Sequence, residues 1–143
     1  MNHVIKQSIP YIEEILMRKE LQDKLFNDFP KLFSQLNDEI WCPDGWFDLI
    51  YNLSSEINKM RDSLITILDS DYCVIQVKIK FSGLRYYMNK TTKEMQDLIS
   101  QVESKSYDIC GSCGNHKGPR KPNEKLWDNG FCETCIMIKN IIE

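Results

Sequence analysis

Two Cys-x-x-Cys pairs constrain the fold of this 143-residue chain more than any other feature of its sequence. Cys110 and Cys113 form the first pair, Cys132 and Cys135 form the second, and 18 residues separate the two. In a reducing compartment this spacing is typical of a metal site and not of two disulfides. Four thiolates suit the tetrahedral coordination of Zn²⁺, so the sequence predicts one structural zinc ion held by these four residues.

The residues around the two pairs predict a small zinc-binding module over residues 107–143. Cys110–Gly114 has the composition of a zinc knuckle, whose glycines allow a tight turn with backbone N–H groups pointing at thiolate sulfur. Asn129-Gly130 predicts a hairpin turn in the intervening loop. Cys132 and Cys135 then open an apolar helical segment. Knuckle, hairpin and helix in this order indicate a treble clef, with a zinc ribbon as the close alternative.

Two features favour a reducing, cytoplasmic location. Only one lysine precedes Tyr11 and no apolar h-region follows it, so we expect no secretory signal. No apolar run approaches the ~18 residues of a membrane span, so we also expect no membrane segment. The remaining cysteines, Cys42 and Cys73, are predicted to be buried thiols.

The first 70 residues have helical periodicity. Residues 8–29 predict one bent helix or two short ones, because the apolar phase slips near Arg18–Lys19. Pro30 predicts a short helix through Leu36, since proline is favoured in a first helical turn. The apolar stripe over residues 46–68 predicts a long helix, which Asp44 is placed to cap.

The period changes to that of a β-hairpin at about residues 72–88. Polar and apolar residues alternate up to Phe81, Ser82-Gly83 is the turn signal, and a second strand follows. Phe81 and Leu84 are predicted to lie in the core.

A further helix follows the hairpin and completes the α+β fold. Thr91–Glu94 has the form of a capping box, and the helix that it opens ends near Ser106. We therefore predict a domain of helices and one hairpin at 1–106, with the zinc module of 107–143 packed on it.

The hairpin is also the predicted binding surface. Its polar face carries basic side chains with aromatic ones beside them: Lys78, Lys80, Arg85, and Tyr86 or Tyr87. The segment 73–106 has a net charge of +3, and these residues contribute much of its positive charge. Residues 1–72 have a net charge of −6, residues 107–143 are neutral, and the whole chain carries −3. Attraction of the whole protein to nucleic acid is therefore disfavoured.

Catalysis is not indicated by any motif. Four thiolate ligands leave a zinc ion no open coordination position. His116 lies inside the module, but the other histidine, His3, is remote in sequence, so a nuclease of the His-Asn-His kind is not expected. We expect a protein that is not an enzyme.

Three stretches and the paired cysteines resemble a family of small phage and prophage proteins of unassigned function. The stretches are Phe29–Phe33, Cys42–Ile50 and Gln76–Tyr87, in the same order as in the family. The family pattern reads roughly C-G-D-G-W, then Q-V-K-E-K-F-G-G-L-R-F-Y, then the zinc cysteines.

The chain departs from that pattern at Pro43, Ile79, Ser82 and Tyr86, and Cys135 stands where many relatives have histidine. The resemblance implies a phage or prophage setting inside a bacterial cytoplasm. It implies no known activity.

Two functions are therefore carried forward as hypotheses. The first is an adaptor or inhibitor that binds a host or defence protein through the basic hairpin. The alternative is a nucleic-acid-binding module that uses the hairpin and the basic loop Lys117–Lys125.

Overall fold

The computed structural model of the chain describes residues 15–64, 68–115, 132 and 135. These residues form the helices α1 (Lys19–Asp28), α2 (Phe47–Asp62) and α3 (Lys93–Ser106), with a 3-10 turn at Asp44–Trp46. Strands β1 (Val74–Lys80) and β2 (Gly83–Met88) pair as an antiparallel hairpin. The predicted α+β class is confirmed, because the described residues combine helices with one hairpin.

Helix α1 begins at Lys19, where the apolar phase of the sequence slips. The start predicted at residues 8–10 lies outside the described residues. Asp44 was predicted to cap α2, but its side chain binds the residue before α1. Its carboxylate accepts the backbone N–H of Arg18 at 2.9 Å and forms an ion pair with the Arg18 guanidinium at 2.7 Å. Asp44 therefore ties the start of α1 to the turn before α2.

The short helix predicted after Pro30 is a series of turns. Phe29 leaves the α region with ψ of 61°, as a residue before proline tends to do. The carbonyl of Leu32 accepts the N–H of Val74 at 2.8 Å, which ties this segment to the start of β1. Leu36 bonds to the carbonyl of Phe33, which gives a turn.

Helix α2 has its apolar stripe against the core but is shorter than predicted. Ile50, Leu53 and Ile57 are buried, whereas Leu68 lies beyond the end of the helix and is 69% exposed. Arg61 is 2% exposed near the C-terminal end of α2. Its guanidinium donates to the carbonyls of Asp69 and Asp71, so the loop after α2 satisfies this buried cation.

The hairpin turn is formed by Phe81 and Ser82 and not by Ser82-Gly83. Lys80 pairs with Gly83 in the ladder, and the two residues between them have positive φ, 51° and 65°. Phe81 therefore leaves the strand alternation and is 63% exposed, so its predicted core position is wrong. Leu84 is fully buried, as predicted.

Both edges of the two-stranded sheet are occupied. Trp41 bonds to β1 through its N–H and its carbonyl, at 3.0 and 2.8 Å from Val77 and Ile79. On β2, the N–H of Leu84 donates to the Ser106 hydroxyl at 2.9 Å, and that of Tyr86 donates to the Glu103 carboxylate at 2.9 Å. Side chains of α3 thus take the hydrogen bonds that a further strand would make.

Replacing Ser106 with alanine is expected to leave the buried N–H of Leu84 without a partner, at a cost of about 1–3 kcal/mol in the free energy of unfolding. Urea unfolding of the purified variant measures this as a lower midpoint. Ser104→Ala, an exposed change on the same helix, controls for helix propensity. Equal midpoints for the two variants would show that the hydroxyl does not close this edge.

Helix α3 is capped by Thr92, whose hydroxyl accepts the N–H of Met95 at 3.1 Å. The N-cap is therefore one residue later than the predicted capping box requires. In a capping box the glutamate stands three residues after the N-cap, but Glu94 stands only two residues after Thr92. The helix ends at Ser106, as predicted.

The core lies between α1, α2, α3 and the inner face of the hairpin. Cys42 and Cys73 are both fully buried, as predicted. Helices that are long and apolar enough for a bilayer are absent from the described part of the chain. The core side chains with the lowest exposure include Leu25, Leu32, Ile40, Trp46, Ile50, Ile57, Val74, Leu84, Met95 and Ile99.

Candidate metal centre and hairpin surface

The four predicted metal ligands lie together. The sulfur atoms of Cys110, Cys113, Cys132 and Cys135 are all within 4.8 Å of one another. The Cys113 and Cys132 sulfurs are 3.8 Å apart. Tetrahedral zinc with Zn–S bonds of about 2.3 Å requires sulfur atoms about 3.8 Å apart, so the donor set fits that coordination. The four cysteines could therefore hold a metal ion.

The first pair has the predicted knuckle geometry. Backbone N–H groups of Ser112, Cys113 and Cys132 point at the Cys110 sulfur from 3.3, 3.5 and 3.2 Å. The loop closes with the Cys110 N–H donating to the carbonyl of Asn115 at 2.7 Å, and Gly114 adopts the positive φ of 77° that this tight turn needs. Cys110 is the best enclosed of the four ligands, since it alone is fully buried.

The electrostatic surroundings differ between the Cys110 and Cys135 thiols. Burial opposes ionisation of Cys110, but the three N–H groups around its sulfur outweigh this and lower its pKa to about 7. Burial, together with the nearby Cys132 thiol, raises the pKa of Cys135 to about 12. Four thiolates this close repel one another, and a divalent cation at their centre is the charge that offsets this repulsion.

The knuckle packs directly on the turn before α2. The N–H of Gly45 donates to the carbonyl of Gly111 at 2.6 Å. A Cβ atom on Gly45 would lie 2.6 Å from the backbone carbon and oxygen of Gly111, so only glycine permits this approach. Trp46, which is fully buried, donates its indole N–H to the carbonyl of Ile109 at 2.9 Å. The metal ligand Cys110 thus follows a residue that is anchored to the core.

The rest of the predicted module lies outside the described residues. This applies to His116, to the basic loop Lys117–Lys125, to the Asn129-Gly130 turn and to the segment after Cys135.

The predicted binding residues divide between the two faces of the hairpin. Lys78 is paired with Arg85 across the strands, and Gln76 with Tyr87, so these side chains share the outer face with Lys80. Tyr86 faces inward: it is 2% exposed and its hydroxyl is 2.9 Å from that of Ser54. Tyr86 is therefore removed from the predicted surface, because side chains alternate between the faces of a strand.

Arg85 is held in one orientation on the outer face. Its guanidinium donates to the hydroxyl of Tyr107 at 3.0 Å and to the carbonyl of Leu84 at 2.8 Å. The hydrogen bond to Tyr107 raises the pKa of the guanidinium. The Tyr107 ring lies over Gly83, where a Cβ atom would overlap it.

Gly45 and Tyr107 acquire roles that the sequence did not predict. Gly45 contacts Gly111, which is 66 positions away, and no local pattern reveals that pair. An aromatic residue directly after a helix and three positions before a metal ligand is a weak signal, and only the tertiary contact with Arg85 identifies Tyr107.

Comparisons with protein-family models, curated proteins and solved structures find no match to this chain. The function is therefore argued from the metal centre and the outer face of the hairpin.

Proposed function

We propose that this chain is a zinc-stabilised binding protein, without catalytic activity of its own, that recognises an acidic surface on another protein. The zinc is structural: the four cysteines supply a complete tetrahedral donor set, which leaves no position for substrate. What the metal provides is stability for a segment that is too short to build a core.

The outer face of the hairpin carries this proposal. Lys78 and Arg85 face each other on it with Lys80 beside them. The ion pairs among the described residues do not include any of these three cations. Lys78 and Lys80 are therefore available to a partner's carboxylates, whereas the Glu103 carboxylate is close enough to Arg85 to help raise the pKa of its guanidinium.

A protein partner is favoured over nucleic acid by the composition of the same surface. Ile75 and Tyr87 are 43% and 37% exposed, so apolar area accompanies the cations. Arginine and tyrosine are enriched among the residues that dominate protein interfaces. The net charge of −3 also opposes long-range attraction to a polyanion. In the phage or prophage setting that the resemblance implies, the partner is a host or defence protein.

Reversing the charge at Lys78 and Arg85 together is expected to abolish partner binding, because both side chains would then repel the acidic surface. The protein is tagged, used to capture partners from nuclease-treated bacterial lysate, and the captured proteins are identified by mass spectrometry. We expect a stoichiometric protein with the wild type and a loss of about tenfold or more with Lys78→Glu/Arg85→Glu.

The matched control is Lys19→Glu/Lys93→Glu, which changes the net charge equally at the first positions of α1 and α3. Glutamate there suits the helix dipole but loses the exposed ion pairs with Asp23 and Asp97, each worth about 0.2–0.5 kcal/mol, so the fold should persist. Equal capture by both variants would remove the outer face as the binding surface. Material that disappears with nuclease, and whose binding to labelled DNA or RNA weakens steeply with salt, would favour the nucleic-acid alternative.

A further inference from the structure

Phe81 has an unfavourable backbone conformation and an exposed side chain, and no contact among the described residues accounts for this combination. Its φ of 51° lies in the left-handed region, where a bulky aromatic residue is an outlier. The turn has positive φ at both central residues, a geometry that Asn-Gly serves best. Because 63% of Phe81 is exposed, the strain is not offset by burial in the core. Strained residues of this kind concentrate at functional sites.

Exposed apolar side chains lie at both ends of the hairpin, with Phe81 at the turn and Ile75 and Tyr87 at the opposite end. Of the four large hydrophobic residues that are exposed in the described part of the chain, Ile75, Phe81 and Tyr87 are in the hairpin. The fourth is Leu68, at 69% exposure. The Lys80 ammonium lies 5.6 Å from the centroid of the Phe81 ring, so a cation adjoins the apolar tip. Apolar and basic groups are therefore presented together.

The register of the hairpin adds an unfavourable contact that a partner would relieve. Lys78 and Arg85 are directly opposite each other, and like charges in that position are destabilising. Tyr107 and the Leu84 carbonyl hold Arg85 on this face, and the nearby Glu103 carboxylate offsets only part of its charge. A carboxylate placed between the two cations would convert the repulsion into attraction.

The occupied sheet edges determine how a ligand can be recognised. Trp41 covers the edge of β1, and Ser106 and Glu103 bond to that of β2, so a peptide cannot add as a further strand. The outer face of the seven-residue strand β1 is about 23 Å long, and two strands are about 5 Å apart. A long, narrow surface that offers side chains only is suited to an extended segment of chain.

We propose that Phe81 is the apolar anchor of a site for an extended acidic protein segment. Aspartate or glutamate side chains of that segment pair with Lys78, Lys80 and Arg85, and an aliphatic or aromatic side chain packs on the Phe81 ring. This inference rests on the proposed function and adds to it the chemistry of the partner and the residue that fixes its position.

The test uses Phe81→Asn, because asparagine tolerates positive φ and removes the ring. The zinc-loaded 143-residue chain is immobilised and selected against a displayed library of random 12-residue peptides. We expect the enriched peptides to combine several acidic residues with an aliphatic or aromatic one. Their affinity should fall about tenfold or more for Phe81→Asn, while its melting temperature equals that of the wild type or exceeds it by up to about 5 °C.

Leu68→Asn is the matched control, since it removes an exposed apolar side chain of similar exposure outside the hairpin, and it should bind the peptides as the wild type does. Peptides that lose affinity for Lys78→Glu/Arg85→Glu but not for Phe81→Asn would overturn the anchor and leave the proposed function standing. Indifference to both variants would remove both proposals. An absence of enriched acidic peptides, or binding of a labelled 20-nucleotide single strand that Phe81→Asn abolishes, would also overturn the acidic-segment site.

Discussion

Replacing Cys110 with serine is expected to abolish binding of the proposed zinc ion and to lower the free energy of unfolding by several kcal/mol. Zinc contributes on the order of 10 kcal/mol to modules that fold around it, and part of that stabilisation is shared with the core here. The metal centre stabilises the core because the two are in contact. The knuckle that begins at Cys110 packs against Gly45, and the Trp46 indole donates to the carbonyl of Ile109, the residue before Cys110.

Cys110→Ser is expected to be more damaging than Cys113→Ser. Cys110 is fully buried and its sulfur accepts three backbone N–H groups, whereas Cys113 is exposed. Native mass spectrometry measures zinc per chain, and guanidinium unfolding measures stability with and without a chelator. The expected results are one zinc per wild-type chain and a large loss of stability on chelation.

Tryptophan fluorescence reports whether the change reaches the core. Release of the knuckle exposes the Trp46 indole, which is otherwise fully buried, and shifts its emission to longer wavelength. A Trp46→Phe variant identifies this part of the signal, because the chain contains three tryptophans. Cys42→Ala is the control for loss of a buried cysteine that is not one of the four clustered ligands, and it should retain zinc. Full zinc content in Cys110→Ser/Cys113→Ser would contradict the proposed centre.

The elements that the sequence predicted well are those whose signal is local. The stripe through Ile50, Leu53 and Ile57 specifies one face of α2, and it is the face that the core buries. The ligand spacing of Cys110 and Cys113 likewise specifies a loop of a few residues, and the structure has it. In both cases the residues that interact are neighbours along the chain.

The errors arose where a distant residue changes a local preference. Leu32 was assigned to a helix, but its carbonyl is bonded to Val74, 42 positions later. Asp44 was assigned as a cap for α2, but it binds Arg18 instead. A prediction from neighbouring residues cannot include a hydrogen-bond partner that is close only in the folded structure.

Phe81 was misplaced for a related reason. A turn of two residues at Phe81 and Ser82, in place of one at Ser82-Gly83, decides which residues continue the alternation and which leave it. Tyr107 fills the space over Gly83, so glycine is required at the first position of β2 and not at the tip of the turn. The candidate binding surface therefore includes Phe81 and excludes Tyr86.

Gly45→Ala is expected to separate metal binding from docking of the knuckle. The new Cβ atom would lie 2.6 Å from the backbone of Gly111, which is far below van der Waals contact. The new methyl group of Gly45→Ala and the backbone of Gly111 cannot occupy the same space, so the knuckle must move away from the turn. Overpacking of a well-packed contact costs about 1–3 kcal/mol, and loss of the Gly45 and Trp46 hydrogen bonds adds to it.

The four sulfur ligands are untouched by this substitution, so the variant should still bind one zinc per chain. What it should lose is the effect of zinc on the rest of the protein: chelation should no longer shift the emission of Trp46, because the indole is already released. Asn115→Ala, an exposed change in the same loop, should behave as the wild type does. Wild-type stability of Gly45→Ala would mean that the knuckle does not sit against this turn. The expected pattern, zinc retained and its stabilisation lost, would show that Gly45 connects the metal centre to the core.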